Sequence, residues 1–405
     1  MRVLQLFNQY RSRFNGEQAV VAQIERLLTD AGHTVQTWQR SSQDIEASPL
    51  KQAQAFATMV WSREAAGAMR DRIAEFAPDV VHVHNLYPLF SPSVLKAATD
   101  AGVPVVMSLH NQALTCPKAD HLRNGSVCEA CFGGKQYHCL LKNCRGSLLQ
   151  SLGYAVRAGV ADRAGWFREH VGRFLAMTEF ARERLLRAGY PADKLAVLPN
   201  GVPMPRGIVT PAEGEYIAFA GRLSEEKGLR TLMEAAVACP EVPIALAGDG
   251  PLAAELRELA PRNVTFCGRL TPDEMRTFYR RARAVVLPST CFEMCPLTIL
   301  EGMAMGLPVI ASQTGGLGEL VDDEHTPHPT GLLVPRGEAA PLTLALRRLW
   351  ADDPLATAMG QAGREKAERE YAETVFRDRL LSHYAAVGAC VDATSTTVAL
   401  APVGI

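Results

Sequence analysis

Two kinds of hydrophobic run alternate along the chain. Short, nearly continuous apolar runs read as buried strands: RVLQLF (2–7), HTVQTW (33–38), VVHVHN (80–85), PVVMSLHN (104–111), FLAMTEF (174–180) and KLAVLPNGV (194–202). Between them lie helical periods. Val20, Val21, Ile24, Leu27 and Leu28 share one face, and Gly32 ends that helix. Ser91 or Ser93 is the expected cap of a helix over SPSVLKAATDAG, and the polar segment 41–77 reads as mostly helical. ARERLLRAG is a further helix. PNGVP (199–203) is rich in Pro and Gly and marks a boundary. The same alternation then restarts at YIAFAG and PIALAGDGP, continues through NVTFCGRL, AVVLP (284–288), PVIAS (308–312) and GLLVPRG, and closes in helices from 339 to about 387. Strands that alternate with helices imply parallel α/β sheets. The length of 405 residues implies two such domains, 1–200 and 201–375.

The stretch 288–316, PSTCFEMCPLTILEGMAMGLPVIASQTGG, holds the densest candidate chemistry. A strand runs into a loop carrying Glu293, and Pro296 opens a short helix carrying Glu301. The free amides of Leu297 and Thr298 at that helix start suit a phosphate, helped by the helix dipole. Carboxylates repel phosphate but accept from hydroxyls. The pattern therefore suggests a nucleotide sugar, with its diphosphate on the helix start and the two glutamates on sugar and ribose hydroxyls.

Glu293-x7-Glu301 followed by GMAMGLPVIAS and GG resembles the donor-site signature of the retaining GT-B glycosyltransferases of family 4. The resemblance extends over nearly the whole chain. It implies two Rossmann-like domains facing across a cleft, with the acceptor on the first and the nucleotide sugar on the second. It also implies a final helix (376–390) that crosses back to the first domain, followed by a tail (391–405). GRLSEEKG resembles the family's phosphate-binding segment, which implies that Arg222 and Lys227 neutralise the diphosphate. Gly248 lines the same edge, and the backbone up to Arg269 lies where similar enzymes hold the base. Gly16, in the loop after the first strand, matches the family's glycine pair only in part, since Asn15 stands beside it. His110 ends its strand at the edge where parallel sheets bind ligands. The resemblance sets it against the donor sugar, with His84 and Asn85 as candidate acceptor contacts. One departure stands at the centre: Met294 follows the first Glu where the family usually has Gly.

The implied reaction transfers a hexose or amino-hexose from a UDP- or GDP-sugar to a carbohydrate, lipid-linked or small-molecule hydroxyl, with anomeric retention. Protein cations take the place of a catalytic metal. Two other readings stand beside this one. One is a nucleotide-sugar 2-epimerase of the same fold, and the other is a non-enzymatic, metal-dependent docking protein.

Five of ten cysteines crowd between 116 and 144. The C-x-x-C spacing with further cysteines nearby suits structural zinc, with one cysteine too many to fix the ligand set. Similarity to a subset of GT-B enzymes with such an insertion (115–147) implies Cys116, Cys128, Cys131 and Cys144. The following helical segment carries Arg157, Arg163, Arg168 and Arg173, expected on a solvated basic face with at most peripheral membrane contact. A net charge of −1 gives no global field toward nucleic acid. No run of about 18 apolar residues appears, and MRVLQLFNQ reads as a strand rather than a signal peptide, so a cytoplasmic location is expected. There is no GxGxxG after the first strand, no Walker A segment and no solenoid repeat.

Overall fold

The computed structural model describes residues 1–9, 16–41 and 58–390. Asn15, much of the segment 41–77 and the tail 391–405 lie outside the described residues.

The first sheet contains β1 (Arg2–Gln9), β2 (Thr34–Ser41), β3 (Val80–Asn85) and β4 (Val105–Leu109). After a small hairpin of β5 (Leu122–Arg123) and β6 (Ser126–Val127) it is completed by β7 (Arg173–Ala176) and β8 (Leu195–Val197). The order is β2-β1-β3-β4-β7-β8, and every pairing is parallel. The second sheet contains β9 (Tyr216–Ala220), β10 (Ile244–Ala247), β11 (Val264–Gly268), β12 (Ala282–Leu287), β13 (Val309–Ser312) and β14 (Gly331–Val334). Its order is β11-β10-β9-β12-β13-β14, again all parallel. Strands β3, β4 and β12 are buried at every position. Helices cover both faces of such sheets, which is why their strands read as unbroken apolar runs. The fold is two parallel α/β units of the GT-B type, as expected.

Strand order reverses between β1 and β3 in the first sheet and between β9 and β12 in the second. Loops leaving the carboxyl ends of strands at such a point diverge to opposite faces and leave a crevice, which is where open α/β sheets bind ligands. The helix Glu373–Ala386 packs Phe376, Leu380, Leu381 and Tyr384 into the cluster of Val3, Val20, Ile24 and Val106 of the first unit. Tyr384 Oη lies 2.7 Å from His82 Nδ1 in that sheet.

Two local expectations are corrected. The helix Ser93–Asp100 has Pro92 at its cap and no side-chain capping bond. Ser91 and Ser93 instead bond each other at 2.8 Å and join this helix to the cap of the preceding one, Arg63–Phe76. Ser62 N donates to Ser91 Oγ, and Ser93 Oγ donates to Ser62 O. The helix Leu148–Arg163 does not present a solvated basic face. Arg157 is buried and Arg163 is exposed at the helix end, while Arg168 and Arg173, beyond the helix, pair with Asp162 and donate to the carbonyl of Asp193. The exposed face is apolar: Leu148, Leu149, Leu152, Val156 and Val160. The face is inverted because Tyr87 and Tyr154 take the Arg157 guanidinium onto their rings.

Candidate active site

The loops that leave β9 and β12 meet at the switch point of the second sheet. The β9 loop turns through Glu225–Lys227 and Gly228, whose φ is 68°. A Cβ at Gly228 would overlap the carbonyl of Pro288 at the end of β12, so only glycine lets the two loops close together. This contact sets Lys227 against Glu293. Lys227 Nζ donates to Glu293 Oε1 at 2.7 Å, and Ser289 Oγ donates to the same oxygen at 2.5 Å. Burial pulls the Lys227 ammonium down, but the Glu293 carboxylate, with Cys291 near it, outweighs that and holds it above its ordinary range. Both bonds fall on Oε1. Among the described residues no hydrogen bond falls on the second Glu293 oxygen.

The backbone of Glu293 is fixed by Gly316, whose N–H donates to its carbonyl at 2.8 Å. Pro296 then opens the helix Leu297–Ala304. Thr298 Oγ1 donates to the β9 carbonyl of Ala220 at 2.9 Å, which pins the helix start against the end of β9. Glu301 accepts from Tyr279 Oη at 2.8 Å. Burial raises the Glu301 carboxyl above its usual range, and the Tyr279 bond offsets part of the rise. Arg222 is exposed, and its side chain has no hydrogen bond or ion pair among the described residues. Arg269 points elsewhere, pairing with Asp249 at 3.1 Å. Gly248 has φ 136°, and a Cβ there would overlap the carbonyl of Gly221, so it holds β10 tightly under the β9 loop. Gly16 opens the helix Gly16–Asp30 of the first unit, and a Cβ placed on it would stand 3.7 Å from Leu297 Cδ1. The start of the first helix thus abuts the start of the Glu301 helix across the cleft.

His110 follows β4 and is held by a relay. Gln5 Nε2 donates to Thr37 Oγ1 (3.2 Å) and to the Val21 carbonyl (3.5 Å), so Gln5 Oε1 accepts from His84 Nε2 at 2.9 Å. His84 Nδ1 is then an acceptor for His110 Nε2 at 3.0 Å. This leaves His110 Nδ1 as a lone pair able to accept from a hydroxyl. Burial pushes His110 down to about 4 and His84 well below its usual value, so both are neutral near pH 7. Asn85 donates to the Asn8 carbonyl and to Glu17 Oε1. His84 is therefore the partner of His110 rather than an independent contact. Sequence reasoning missed Ser289, Tyr279 and Gln5. Only Ser289 had a signal, lying four residues before Glu293 in the same loop.

The zinc expectation finds no support. Among the described residues no group of three or more His, Cys, Asp or Glu side chains is arranged to hold a metal ion. Cys131 and Cys139 are buried with Ala155 in a small apolar cluster that Leu140, Cys144 and Tyr154 complete, and Cys116 is also buried. Burial, reinforced by neighbouring thiols, pushes Cys131 and Cys139 up to about 12. The insertion is tied down by polar bonds. His121 contacts the Cys128 carbonyl at 2.9 Å, and Arg184, buried, pairs with Glu129. Cys116, Cys128, Cys131 and Cys144 are thus not supported as a zinc site among the described residues.

Residues 14–206 match the family described as Glycosyltransferase Family 4, and residues 214–352 match Glycosyl transferases group 1. The two matches together span both parallel α/β units, and both models describe glycosyltransferases. The chain is 32% identical over 158 residues to the sulfoquinovosyl transferase SQD2 of Arabidopsis thaliana, covering 39% of this chain and 31% of that one. It is 31% identical over 228 residues to the putative colanic acid biosynthesis glycosyltransferase WcaL of Escherichia coli, covering 51% and 55%. The chain thus matches from about a third to about half of the length of these relatives. The sucrose-phosphate synthase of Thermosynechococcus elongatus has the same fold, with a TM-score of 0.71, 20% identity and coverage of 95% and 98%. So does Anabaena HepE, solved with UDP-glucose, with a TM-score of 0.66, 17% identity and coverage of 95% and 100%. None of these matches favours an epimerase or a docking protein.

Proposed function

We propose that the chain moves a hexose or amino-hexose from a nucleoside diphosphate sugar to a hydroxyl acceptor, with anomeric retention. The observation that carries this reading is the convergence of Lys227 and Glu293 at the switch point, beside the amide start of the Leu297–Ala304 helix. A cation and unpaired amides suit a diphosphate, and a carboxylate with one free oxygen suits sugar hydroxyls. Arg222 and Lys227 neutralise the leaving diphosphate, with the amides of Leu297 and Thr298. Gly16 and Gly248 admit the ligand closely, the backbone near Arg269 faces the base, and Glu301 accepts from ribose. His110 Nδ1 accepts from a donor-sugar hydroxyl. As the sugar C1–O bond to phosphate breaks, the acceptor oxygen bonds C1 on the same face and its proton passes to the departing phosphate oxygen.

The UDP-glucose bound to HepE supports a UDP-hexose donor, with GDP as the other base to try. The likeness to WcaL, a putative colanic acid biosynthesis glycosyltransferase, supports a carbohydrate acceptor, with a lipid-linked or small-molecule hydroxyl as the others to try. No helix among the described residues is long and apolar enough to cross a membrane. The exposed apolar stripe Leu148, Leu149, Leu152, Val156 and Val160 supports peripheral contact with the inner face of a membrane.

The test is calorimetric titration of UDP and GDP into the wild type, Lys227→Ala and Glu301→Ala, with turnover followed in parallel. Expected is nucleotide binding in the wild type, weakened by each substitution, and turnover lower by roughly two to three orders of magnitude in Lys227→Ala. Nucleotide affinity unchanged in both variants refutes the placement of the donor.

A further inference from the structure

The first unit holds a second cavity beside His110. Its volume is about 100 Å³, and His84, Asn85, Tyr87, His110, Lys118 and Arg157 are among its lining residues. Arg157 comes from the buried face of the Leu148–Arg163 helix and is 4% exposed. Its guanidinium lies between two rings, 4.0 Å from the centroid of Tyr87 and 4.7 Å from that of Tyr154. Nη2 donates to the Pro117 carbonyl at 2.9 Å. Nε is buried and has no partner. Among the described residues no carboxylate pairs with Arg157.

That arrangement is uncommon for a buried arginine. Guanidinium stays charged at any pH a protein meets, and a buried charge without a counter-ion is costly. The two rings and one carbonyl offset part of that cost but supply no negative charge. Other charges near the cavity are already matched. Lys118 pairs with Asp120 at 3.0 Å and donates to the Leu122 carbonyl. Elsewhere in this chain a buried arginine does find a carboxylate: Arg184 has Glu129 and Arg283 has Asp353. Asn85 Oδ1 is also buried without a partner in the same wall, and accepts from a hydroxyl or amide. The cavity therefore offers a cation with a spare donor, a spare amide acceptor and aromatic faces, but no anion.

We propose that Arg157 binds the anionic group of a carbohydrate acceptor, a carboxylate as in a uronic acid or a phosphate as in a sugar phosphate. The inference rests on the reading of the first unit as the acceptor side, and it names the acceptor's chemical class. The anion seats on the free edge of the guanidinium, the cavity of about 100 Å³ takes this anionic end with the sugar ring at its mouth, and a hydroxyl donates to Asn85 Oδ1. The acceptor is then anchored next to His110, where the reacting carbon of the donor is proposed to lie.

The test titrates three sugars into the full chain by calorimetry: glucuronate, glucose 6-phosphate and neutral glucose. Wild type, Arg157→Gln and Arg157→Lys are compared, with UDP as a control for the second unit. Expected is at least tenfold tighter binding of one anionic sugar than of glucose, and whichever it is separates carboxylate from phosphate recognition. Arg157→Gln abolishes that preference, Arg157→Lys keeps part of it, and UDP affinity is the same in all three proteins. Equal binding of all three sugars to the wild type overturns the proposal, and so does a preference that survives in Arg157→Gln. If Arg157→Gln fails to fold because the Pro117 tether is lost, the wild-type comparison and Arg157→Lys still decide. Loss of UDP binding in the wild type refutes the transferase reading alone, because the anion preference is measured without a nucleotide.

Discussion

Glu293→Gln keeps the shape of the side chain and removes its charge. Lys227 Nζ and Ser289 Oγ converge on Glu293 Oε1, and the two charged side chains are 22% and 10% exposed. Opposite charges at this separation attract by roughly 6 kcal/mol at an effective dielectric constant of about 20, before desolvation is subtracted. Exposed pairs net about 0–1 kcal/mol, whereas removing one partner of a buried pair costs about 3–5 kcal/mol. These exposures place this pair between the two, so a loss of about 2 kcal/mol is expected. For a unit of roughly 150–250 residues that lowers the melting temperature by about 4–8 °C. A diphosphate has the opposite relation to the variant. In the wild type it competes with Glu293 for Lys227, and in the variant Lys227 is unclaimed. Saturating UDP should therefore raise the melting temperature of Glu293→Gln by at least as much as that of the wild type. A ligand at about 100 times its Kd stabilises by about 2.7 kcal/mol, which thermal unfolding resolves easily. Unchanged melting without ligand shows that the pair carries no stability. A UDP response present in the wild type and absent in the variant places Glu293 on the nucleotide itself and refutes the reasoning.

The strands were legible because a parallel strand buried on both faces leaves an unbroken apolar run, as VVHVHN and AVVLP do. The donor loops were legible because GRLSEEKG and the Glu293-x7-Glu301 segment are local in sequence. What joins them is not local. Lys227 and Glu293 lie 66 residues apart, and Tyr279 reaches Glu301 from another helix. No periodicity predicts those meetings, since they follow from strand order and from the closure that Gly228 permits. The Arg157 helix failed for a different reason. An amphipathic pattern gives two faces without saying which is inside, and the default of basic outward was reversed by two tyrosines. The cysteines failed at the step from spacing to geometry. C-x-x-C spacing alone does not make a thiolate clamp: Cys131 packs beside Cys139 and Ala155, and no metal-holding group forms among the described residues. His84 was assigned to a substrate because it stands at the right edge, yet its ring nitrogens are both taken, by Gln5 and His110.

Two further expectations concern stability. Gly228→Ala forces a side chain into the left-handed region at φ 68° and into the Pro288 carbonyl. The conformation alone costs about 1–2 kcal/mol, so a melting temperature within 1 °C of the wild type refutes the tight closure of the two donor loops. The last expectation is an acid-labile first unit. His82, His110 and His121 are pushed down to about 3, about 4 and about 4 by burial, from an ordinary value of 6.5. Between that value and about 4 the unfolded chain binds these protons and the folded chain does not. Stability therefore falls as pH drops through that window, by up to about 1.4 kcal/mol per pH unit for each group. Glu17 acts in the opposite direction, because burial raises its carboxyl to about 8 and the folded chain keeps that proton. One such acid offsets only part of three histidines. Urea midpoints measured from pH 7 to pH 4.5 should fall steadily, and His82→Gln should flatten the slope by one group's share. A midpoint that stays constant down to pH 5 means that these rings are hydrated in solution, and with them falls the assignment of His110 as a neutral acceptor at the sugar.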